Sequence, residues 1–277
     1  MAQNETNSFK SPIHYYGGKF YMTDIIISHF PKKYNLYIEG FGGGASVLLA
    51  KTDYGPEIYN DLGSNVYSLF KCLSDEKMFN ELKTKLDVTY YSRDIFNQFR
   101  EELLRNDLSV VDRAYRYFCI SRMAFNGVGA FAVNFVCRNN MCKSVSSFIS
   151  AIDGLPELHQ RLSRVIVENR DIFELIEKYD NNDVFWYLDP PYLADTRTSS
   201  TKYECEMTDE DHMKFVDVLL KSKSKFLISG YDHKIYDKLV ENGWNKFTFQ
   251  SPNVNSDRTE CLWYNYNDCK SDKGLLF

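Results

Sequence analysis

Two kinds of hydrophobic pattern run through this chain of 277 residues. Residues 21–30 carry apolar positions at helical spacing, and Pro31 ends the predicted helix because proline cannot continue it. Short apolar runs bounded by polar residues or glycine predict buried strands. The predicted strands cover residues 35–39, 57–60, 165–168, 184–188, 226–229, 245–250 and 260–266.

The order of these elements predicts an α/β fold with a helical insertion. A glycine turn over residues 41–46 and a helix over 46–52 separate the first two strands, which is a nucleotide-binding βαβ pattern. Residues 64–164 are mostly helical, apart from a break at 127–140. We therefore predict a Rossmann-like sheet domain formed by residues 1–66 and 165–277, with an inserted, mainly helical domain at residues 67–164.

The composition, 44% hydrophobic and 26% charged, is that of an ordinary globular protein. No apolar run reaches membrane-spanning length, and the polar first ten residues do not resemble a signal peptide. Seven cysteines without a Cys-x-x-Cys pair predict free thiols in a reducing cytoplasm. The histidines have no metal-ligand spacing, so we expect no metal, and we expect a cytoplasmic protein without an obligate protein partner.

The net charge of −5 conceals a basic segment at residues 111–150. That segment holds one acidic residue, Asp112, and five basic ones: Arg113, Arg116, Arg122, Arg138 and Lys143. By itself this is more often a basic surface without a partner. Aromatic and amide residues interleave with the charges in Phe125-Asn126-Gly127 and in residues 131–135, however, and groove contacts and base stacking use these residue types. The segment is therefore a candidate nucleic-acid interface.

The glycine turn has the form Gly-x-Gly-x-x-Ala, from Gly40 to Ala45, and Asp61 follows 21 residues after Gly40. Glycines allow a ligand to approach the backbone, and the spaced acid binds ribose hydroxyls. No Gly-Lys-Ser/Thr follows, which excludes a P-loop. The pattern fits both NAD and S-adenosylmethionine, and the turn alone does not choose between them.

The sequence Asp189-Pro190-Pro191-Tyr192 directly follows the predicted strand at 184–188. The prolines fix φ and lack N–H donors, so the turn presents the Asp189 carboxylate, the Pro190 carbonyl and the Tyr192 ring. Two acceptors beside an aromatic face suit a flat heterocycle with an amino group, whose nitrogen they would orient toward an electrophile. A capped strand end with a core tyrosine explains the four residues equally well. Where the glycine turn leaves the cofactor open, this motif favours S-adenosylmethionine over NAD, because hydride transfer has no evident use for an amine site.

Several motifs together resemble one family. They are Tyr16-Gly17-Gly18-Lys19, Glu39-Gly40-Phe41-Gly42-Gly43-Gly44-Ala45-Ser46, Asn60-Asp61, Asp189-Pro190-Pro191-Tyr192, Met207-Thr208-Asp209-Glu210-Asp211-His212 and Arg258-Thr259-Glu260-Cys261-Leu262-Trp263-Tyr264. Their order is similar to that of Dam-like DNA adenine-N6 methyltransferases, from about residue 11 to residue 266. Residues 131–144 do not follow the hairpin sequence of GATC-specific members, so no target sequence is assigned.

The resemblance implies an S-adenosylmethionine-dependent methyltransferase whose helical insertion recognises double-stranded DNA. It implies catalytic roles for Asp189, Pro190 and Tyr192. It implies cofactor contacts from Tyr15, Lys19, Glu39, Phe41, Gly42, Gly43, Gly44, Asp61, Asp171, Ile172 and Asp189. Together with the basic segment, the resemblance predicts that the following residues contact DNA: Arg113, Arg116, Arg122, Asn126, Phe131, Asn134, Arg138, Lys143, Lys202 and Tyr203.

The implied reaction moves a methyl group to N6 of an adenine that has been flipped out of the helix, and Lys202 and Tyr203 would close over it. Three other functions stay open at this point. A cytosine-N4 methyltransferase uses a similar amine site, although serine is commoner than aspartate at its first position. An NAD-dependent oxidoreductase fits the glycine turn alone, and a non-catalytic DNA-binding subunit fits the basic segment.

Overall fold

The computed structural model describes residues 9–15, 17–193, 204–250 and 259–270. The helices of this part are α1 (Thr23–Ser28), α2 (Ser46–Ala50), α3 (Ser64–Ser74), α4 (Glu76–Asp87), α5 (Arg93–Glu102), α6 (Val110–Met123), α7 (Lys143–Asp153), α8 (Leu155–Leu162), α9 (Ile172–Tyr179), α10 (Asp209–Lys221) and α11 (Asp237–Glu241). The strands are β1 (Leu36–Glu39), β2 (Glu57–Asn60), β3 (Cys137–Arg138), β4 (Met141–Cys142), β5 (Ile166–Glu168), β6 (Val184–Leu188), β7 (Lys225–Tyr231), β8 (Asn245–Gln250) and β9 (Thr259–Tyr264).

The chain divides into two compact units. The helical unit comprises Met1–Gly18, Gly43–Thr52 and Ser64–Glu168, and the sheet unit comprises Lys19–Gly42, Asp53–Gly63 and Asn169–Phe277. The division cuts the glycine turn between Gly42 and Gly43, so each half of the turn is described with its own unit.

The strands of the sheet unit lie in the order β2-β1-β6-β7-β9-β8. β1 pairs in parallel with β2 and β6, and β6 pairs in parallel with β7. β9 is antiparallel to both of its neighbours, β7 and β8. The sheet is therefore largely parallel, and the mixed α/β class expected from the sequence is confirmed.

Buried side chains cover both faces of this sheet, which explains why its central strands are apolar throughout. All five residues of β6 are buried. On one face Trp186 stacks on Phe226 with ring centroids 6.0 Å apart, in a core shared with apolar residues of α9 and α10. On the other face Phe185 contacts Phe30, which follows α1, at a centroid distance of 4.7 Å. Continuous apolar runs are typical of parallel strands buried on both faces.

The parallel arrangement brings several chain segments to one edge of the sheet. β1, β2, β6 and β7 all point the same way, so their carboxyl ends share this edge, where open α/β sheets bind ligands. β9 runs in the opposite direction, and its residue Glu260 is paired with Tyr231 at the end of β7. The first residues of β9 therefore reach the same edge.

The helical unit is built on α3, α4, α5, α6, α7 and α8, and its core includes Leu69, Phe118 and Phe148. Beyond α6 the chain forms a two-stranded antiparallel hairpin of β3 and β4. Asn139 and Asn140 join these strands with φ angles of 55° and 58°. Two successive residues with positive φ form the tight turn that best matches the twist of a hairpin.

The predicted helices and strands are largely confirmed. β6 and β8 have the predicted limits, whereas β7 is longer than predicted and β9 begins one residue earlier. The helix predicted at residues 21–30 is a 3-10 turn, Phe20–Met22, followed by the short helix α1. Among the described helices, none combines the length and the hydrophobicity that crossing a membrane requires.

Candidate active site

The acidic corner at Asp189 lies beside the first half of the glycine turn in the sheet unit. Tyr187 of β6 is paired with Glu39 of β1, and the Gly40 N–H donates a hydrogen bond to the Tyr187 carbonyl at 3.1 Å. Asp189 follows two residues after Tyr187, and Phe41 follows two residues after Glu39. The two motifs that were far apart in the sequence thus lie next to each other at the carboxyl edge of the sheet.

One oxygen of the Asp189 carboxylate is held by two neighbouring side chains. Lys19 Nζ lies 3.0 Å from Asp189 Oδ1, and the Ser229 hydroxyl donates to the same oxygen at 2.8 Å. The Tyr187 hydroxyl is in turn 2.8 Å from Ser229 Oγ. Burial, and then the negative charge of Asp189, raises the pKa of Tyr187 well above its usual value, so its hydroxyl keeps its proton. Both contacts of the carboxylate are made to Oδ1.

Tyr192 is fixed through its hydroxyl group. Lys19 Nζ is within hydrogen-bonding distance of this hydroxyl and lies 4.4 Å from the centre of the ring. On another side the hydroxyl donates to Glu260 Oε2 at 3.4 Å, and the ring centroid is 4.5 Å from that of Tyr231. A small pocket lies beside this ring, lined by Pro190, Tyr192, Leu193, His212, Ser229, Gly230, Tyr231 and Tyr236.

A buried histidine supports the proline turn. His212 of α10 is only 1% exposed, and its Nδ1 lies 2.9 Å from the Tyr236 hydroxyl. Burial lowers the pKa of His212, and the nearby Pro191 carbonyl opposes this shift without reversing it. His212 is therefore neutral near pH 7, and it lines the pocket beside Pro190 and Tyr192.

Two further acidic residues end the neighbouring strands β1 and β2. Glu39 is 2% exposed, and its Oε2 accepts a hydrogen bond from the Tyr37 hydroxyl at 2.7 Å. Asp61, directly after β2, is partly exposed and accepts a hydrogen bond from the Gly63 N–H at 2.8 Å. A part-exposed carboxylate at this edge has the chemistry needed to bind ribose hydroxyls.

The first half of the glycine turn is held tightly against the sheet. Asn60 Nδ2 donates to the Gly40 carbonyl at 2.9 Å, and the Gly42 N–H donates to the Asn60 carbonyl at 2.8 Å. A Cβ atom on Gly42 would lie 2.1 Å from Cε2 of Tyr59, so only glycine fits there. Phe41 points away from the turn and packs edge-on against Phe215, with centroids 5.9 Å apart.

In the helical unit, Tyr15 packs on the second half of the turn. A Cβ atom on Gly43 would lie 2.5 Å from Cε1 of Tyr15, and one on Gly44 would lie 3.0 Å from the Tyr15 Cβ. Gly43 also has a φ of +47°, which side chains disfavour. In the sheet unit, the carboxylates of Glu39 and Asp61 at the carboxyl edge have the chemistry that the methionine amino group and the ribose of S-adenosylmethionine require.

Asp171 and Ile172 have clear structural roles. The Asp171 side chain caps α9 by accepting a hydrogen bond from the Phe173 N–H at 2.8 Å. Ile172 is 6% exposed and belongs to the core of the sheet unit, where its Cδ1 would be 2.8 Å from a Cβ atom on Gly40. Ile172 therefore supports the glycine turn from below, and contact of either residue with a cofactor stays a prediction.

Three arginines of the basic segment have partners within the helical unit. Arg113 donates to the Asn65 side chain at 3.1 Å, and Arg116 contacts Glu102 at 2.5 Å. Arg122 donates to the Pro12 carbonyl at 2.7 Å. These three arginines therefore contribute to the packing of α6, and their contacts with DNA stay predictions.

Phe131 also has a structural role. Its ring centroid is 5.1 Å from that of Tyr91 and 5.6 Å from that of Phe96, and the Arg93 guanidinium lies 4.7 Å from the ring. The contact of Phe131 with DNA likewise stays a prediction. The exposed members of the predicted DNA-contacting set are Asn126, Asn134, Arg138 and Lys143.

Large apolar side chains lie exposed near these four residues in the sequence. Phe125 is 66% exposed and Phe135 is 83% exposed. Lys202 and Tyr203, predicted to close over the substrate, lie outside the described residues.

Ser229, Glu260 and His212 were not predicted from the sequence as site residues. Ser229 was within a predicted strand, and the other two were within motifs that carried only the resemblance. No local pattern marked Glu260, because its place at the ligand-binding edge follows from the pairing of β9 with β7. Among the described residues, no group of histidine, cysteine, aspartate and glutamate side chains is arranged to hold a metal ion.

A comparison with known protein families identifies the family of this chain. Residues 15–259 match the D12 class N6 adenine-specific DNA methyltransferases. The chain belongs to this family. The expectation drawn from the resemblance is thereby confirmed at the level of the family, and the match includes both the glycine turn and the Asp189–Tyr192 motif.

The proteins similar in sequence to this chain include modification methylases. The chain is 25% identical to modification methylase StsI of Streptococcus sanguinis, over 94% of this chain and 40% of that protein. It is 27% identical to type II methyltransferase M.MjaIII of Methanocaldococcus jannaschii, over 83% of this chain and 86% of that protein. It is 23% identical to modification methylase LlaI of Lactococcus lactis subsp. lactis, over 95% of this chain and 44% of that protein. The chain thus spans less than half of StsI and LlaI.

Proposed function

We propose that this protein transfers a methyl group from S-adenosylmethionine to the N6 amine of adenine in DNA. Family membership supports the reaction class. The observation that carries the proposal is the position of Asp189, which lies beside the Gly40–Gly42 half of the turn with a carboxylate held by Lys19 and Ser229. A cytosine-N4 reaction uses a related site, and the family favours adenine.

The acidic corner binds the amine through two acceptors. Lys19 and Ser229 occupy Asp189 Oδ1, so we assign one N6 hydrogen to Oδ2 and the other to the Pro190 carbonyl. Two such hydrogen bonds favour a pyramidal nitrogen whose lone pair is directed out of the ring plane, and they stabilise the positive charge that develops on it. The Tyr192 ring stacks on the base. As N6 forms its bond to the methyl carbon, the bond between that carbon and sulfur breaks, and S-adenosylhomocysteine is the leaving group. N6 then loses a proton to Asp189 or to water.

The cofactor site is formed by the same edge of the sheet. When bound, S-adenosylmethionine supplies a methyl group on a positively charged sulfur. Asp61 holds the ribose hydroxyls, and the backbone of the glycine turn together with Glu39 holds the methionine part. The resemblance also assigns Tyr15, Gly43 and Gly44 of the helical unit to the cofactor, as well as Lys19, Phe41, Asp171 and Ile172.

The target adenine reaches this site only after it leaves the base stack. Flipping costs roughly a few kcal/mol, which contacts to the distorted DNA offset. We propose that residues 67–164 recognise the DNA, with Asn126, Asn134, Arg138 and Lys143 on the contacting surface. The exposed rings of Phe125 and Phe135 are of the type that stacks on bases. We also propose that Lys202 and Tyr203 close over the flipped nucleotide.

Mass analysis of nucleosides tests the proposal. Unmethylated mixed-sequence DNA is incubated with the purified protein and S-adenosylmethionine, digested to nucleosides and analysed by mass spectrometry. We expect N6-methyladenosine and no N4-methylcytidine, both as their deoxy forms. S-adenosylhomocysteine should raise the melting temperature of the protein, and NAD should not. Methylated cytosine, or stabilisation by NAD alone, would contradict the proposal.

A further inference from the structure

Glu260 is a buried acid at the candidate active site that the reaction described above does not use. It is the second residue of β9, is 5% exposed, and is paired with Tyr231 at the carboxyl edge of the sheet. A carboxylate is rarely buried without partners, because its desolvation is costly. Its position at the ligand-binding edge therefore suggests a role at the site rather than in the core.

Glu260 contacts the ring that is assigned to stack on the base. The Tyr192 hydroxyl lies 3.4 Å from Glu260 Oε2, and the same hydroxyl contacts Lys19 Nζ. A phenol has one proton to donate, and an ammonium group can only donate. The donors and acceptors of the two hydrogen bonds are thus fixed: Lys19 donates to the Tyr192 oxygen, and Tyr192 donates to Glu260.

These hydrogen bonds join the two halves of the amine site, the Asp189 carboxylate and the Tyr192 ring. Lys19 Nζ also contacts Asp189 Oδ1 at 3.0 Å, so one ammonium group links the acceptor carboxylate to the Tyr192 hydroxyl. Glu260 contacts the same hydroxyl, and Tyr231 packs against the ring. The plane of the ring is therefore set relative to the carboxylate before a base is bound.

We propose that Glu260 is a positioning residue for methyl transfer, which acts through Tyr192. This proposal rests on the proposed function, and it adds a residue that lies outside the Asp189–Tyr192 motif. Glu260 accepts a hydrogen bond from the Tyr192 hydroxyl. This hydrogen bond holds the ring at the angle at which a stacked adenine presents N6 to Asp189. Small errors in the orientation of reacting groups are costly in rate.

A double-mutant cycle tests this role. Tyr192→Phe keeps the ring and removes the hydroxyl, Glu260→Gln removes the charge and keeps an acceptor, and Glu260→Ala removes both. We expect Tyr192→Phe and Glu260→Ala each to lower kcat on mixed-sequence DNA by about tenfold, with the KM for S-adenosylmethionine unchanged. Because both act on one contact, the double variant should be no more than about twofold slower than the slower single variant. Glu260→Gln should lie between Glu260→Ala and the wild type.

Two controls keep the result interpretable. Glu241→Gln removes an exposed carboxylate at the end of α11 and should leave kcat unchanged. If Glu260→Ala does not fold, as judged by its melting curve, the comparison of Tyr192→Phe with Glu260→Gln still tests the contact. Wild-type kcat for both Glu260 variants, or losses in kcat that multiply in the double variant, would overturn the role of Glu260. A wild-type protein without N6-methylation would instead overturn the proposed function.

Discussion

At the scale of single residues, Arg122 shows how its neighbours decide what a charged side chain does. Its Nε donates to the Pro12 carbonyl at 2.7 Å, and its Nη2 donates to the Ser11 carbonyl at 3.1 Å. Burial lowers the pKa of Arg122 to about 10. The sequence shows the charge of Arg122, but its partners are about 110 residues away in the chain. The structure therefore supports a packing role for Arg122, and its contact with DNA stays a prediction.

We expect Arg122→Ala to destabilise the protein rather than to weaken DNA binding specifically. Hydrogen bonds to a charged group contribute roughly 1.5–3 kcal/mol, so the free energy of unfolding in urea should fall by about 2 kcal/mol or more. Lys143→Ala is the matched comparison, because Lys143 is exposed on the proposed DNA surface. It should leave the stability within about 0.5 kcal/mol of the wild type.

The salt dependence of DNA binding provides the second measurement for this pair. Loss of a phosphate contact at Lys143 should reduce the slope of log K against log salt by about 1. A stable Arg122→Ala variant with a reduced slope would contradict the structural assignment of Arg122.

The residues of the candidate site were predictable to different degrees. Asp189, Pro190 and Tyr192 stand together in the sequence, and so does the glycine turn, so local patterns were sufficient to find them. Ser229 reaches Asp189 from 40 residues away, and Glu260 reaches Tyr192 from 68 residues away. Both contacts depend on which strands are neighbours and on their register, which no local pattern contains.

At the scale of elements, buried strands were predictable and the hairpin was not. β6 is a continuous apolar run that is wholly buried, so its limits follow from its sequence. β3 and β4 have two residues each, too few for a periodic pattern. Their pairing depends on the positive φ angles of Asn139 and Asn140, and the sequence Asn-Asn is a weaker turn signal than Asn-Gly.

The hairpin places two cysteines opposite each other, which allows its register to be tested. Cys137 is paired with Cys142, and residues in such a pair have Cα atoms about 4.5–5.5 Å apart, within the range of disulfides. Diamide should remove two electrons and two protons from these thiols and form an intrachain disulfide. Peptide mass mapping without reduction should then recover the two cysteines linked together. Preferential linkage of either cysteine to a different one would show that the register is wrong.

Helix α10 should depend on the cap at its first turn. The Thr208 side chain accepts a hydrogen bond from the Asp211 N–H at 3.1 Å, and the Asp211 side chain accepts one from the Thr208 N–H at 2.9 Å. Thr208→Ala should therefore lower the free energy of unfolding by about 1 kcal/mol. Thr208→Ser, which keeps the hydroxyl, should restore most of this loss in the same urea titration. Equal stability of Thr208→Ala and the wild type would argue against the cap.

At the scale of the whole molecule, the α/β class followed from the order of helices and strands, whereas the order of strands in the sheet did not. β9 lies between β7 and β8 in the sheet, although β8 precedes β9 in the sequence. The division into two units cuts the glycine turn after Gly42, at a point where the sequence has no linker. Cooperative packing decides both features, and local hydrophobic patterns do not report it.

The stability of the whole molecule should fall in mild acid. Burial lowers the pKa of His212 below its usual value of 6.5, so the unfolded chain binds this proton more readily than the folded protein. Stability should therefore be constant above pH 6.5 and fall as the pH decreases below it, by up to about 1.4 kcal/mol per pH unit for this histidine. Melting temperatures from pH 8 to pH 5 measure this effect. In His212→Asn the decline should be smaller, and an unchanged pH profile would contradict the assignment.

The central claim is that the Asp189 carboxylate directs the amine of a flipped adenine, and single-turnover methylation by Asp189→Ala tests it most directly. Loss of the acceptor should reduce the methylation rate by at least about 1,000-fold. Because Asp189 contacts only the amine of the flipped base in this account, the affinity for DNA should stay within about threefold of the wild type. Asp217→Ala, which removes an exposed carboxylate 2.6 Å from Lys238, serves as the control and should methylate normally. Asp189→Ala with a wild-type rate of N6-methylation would contradict the account.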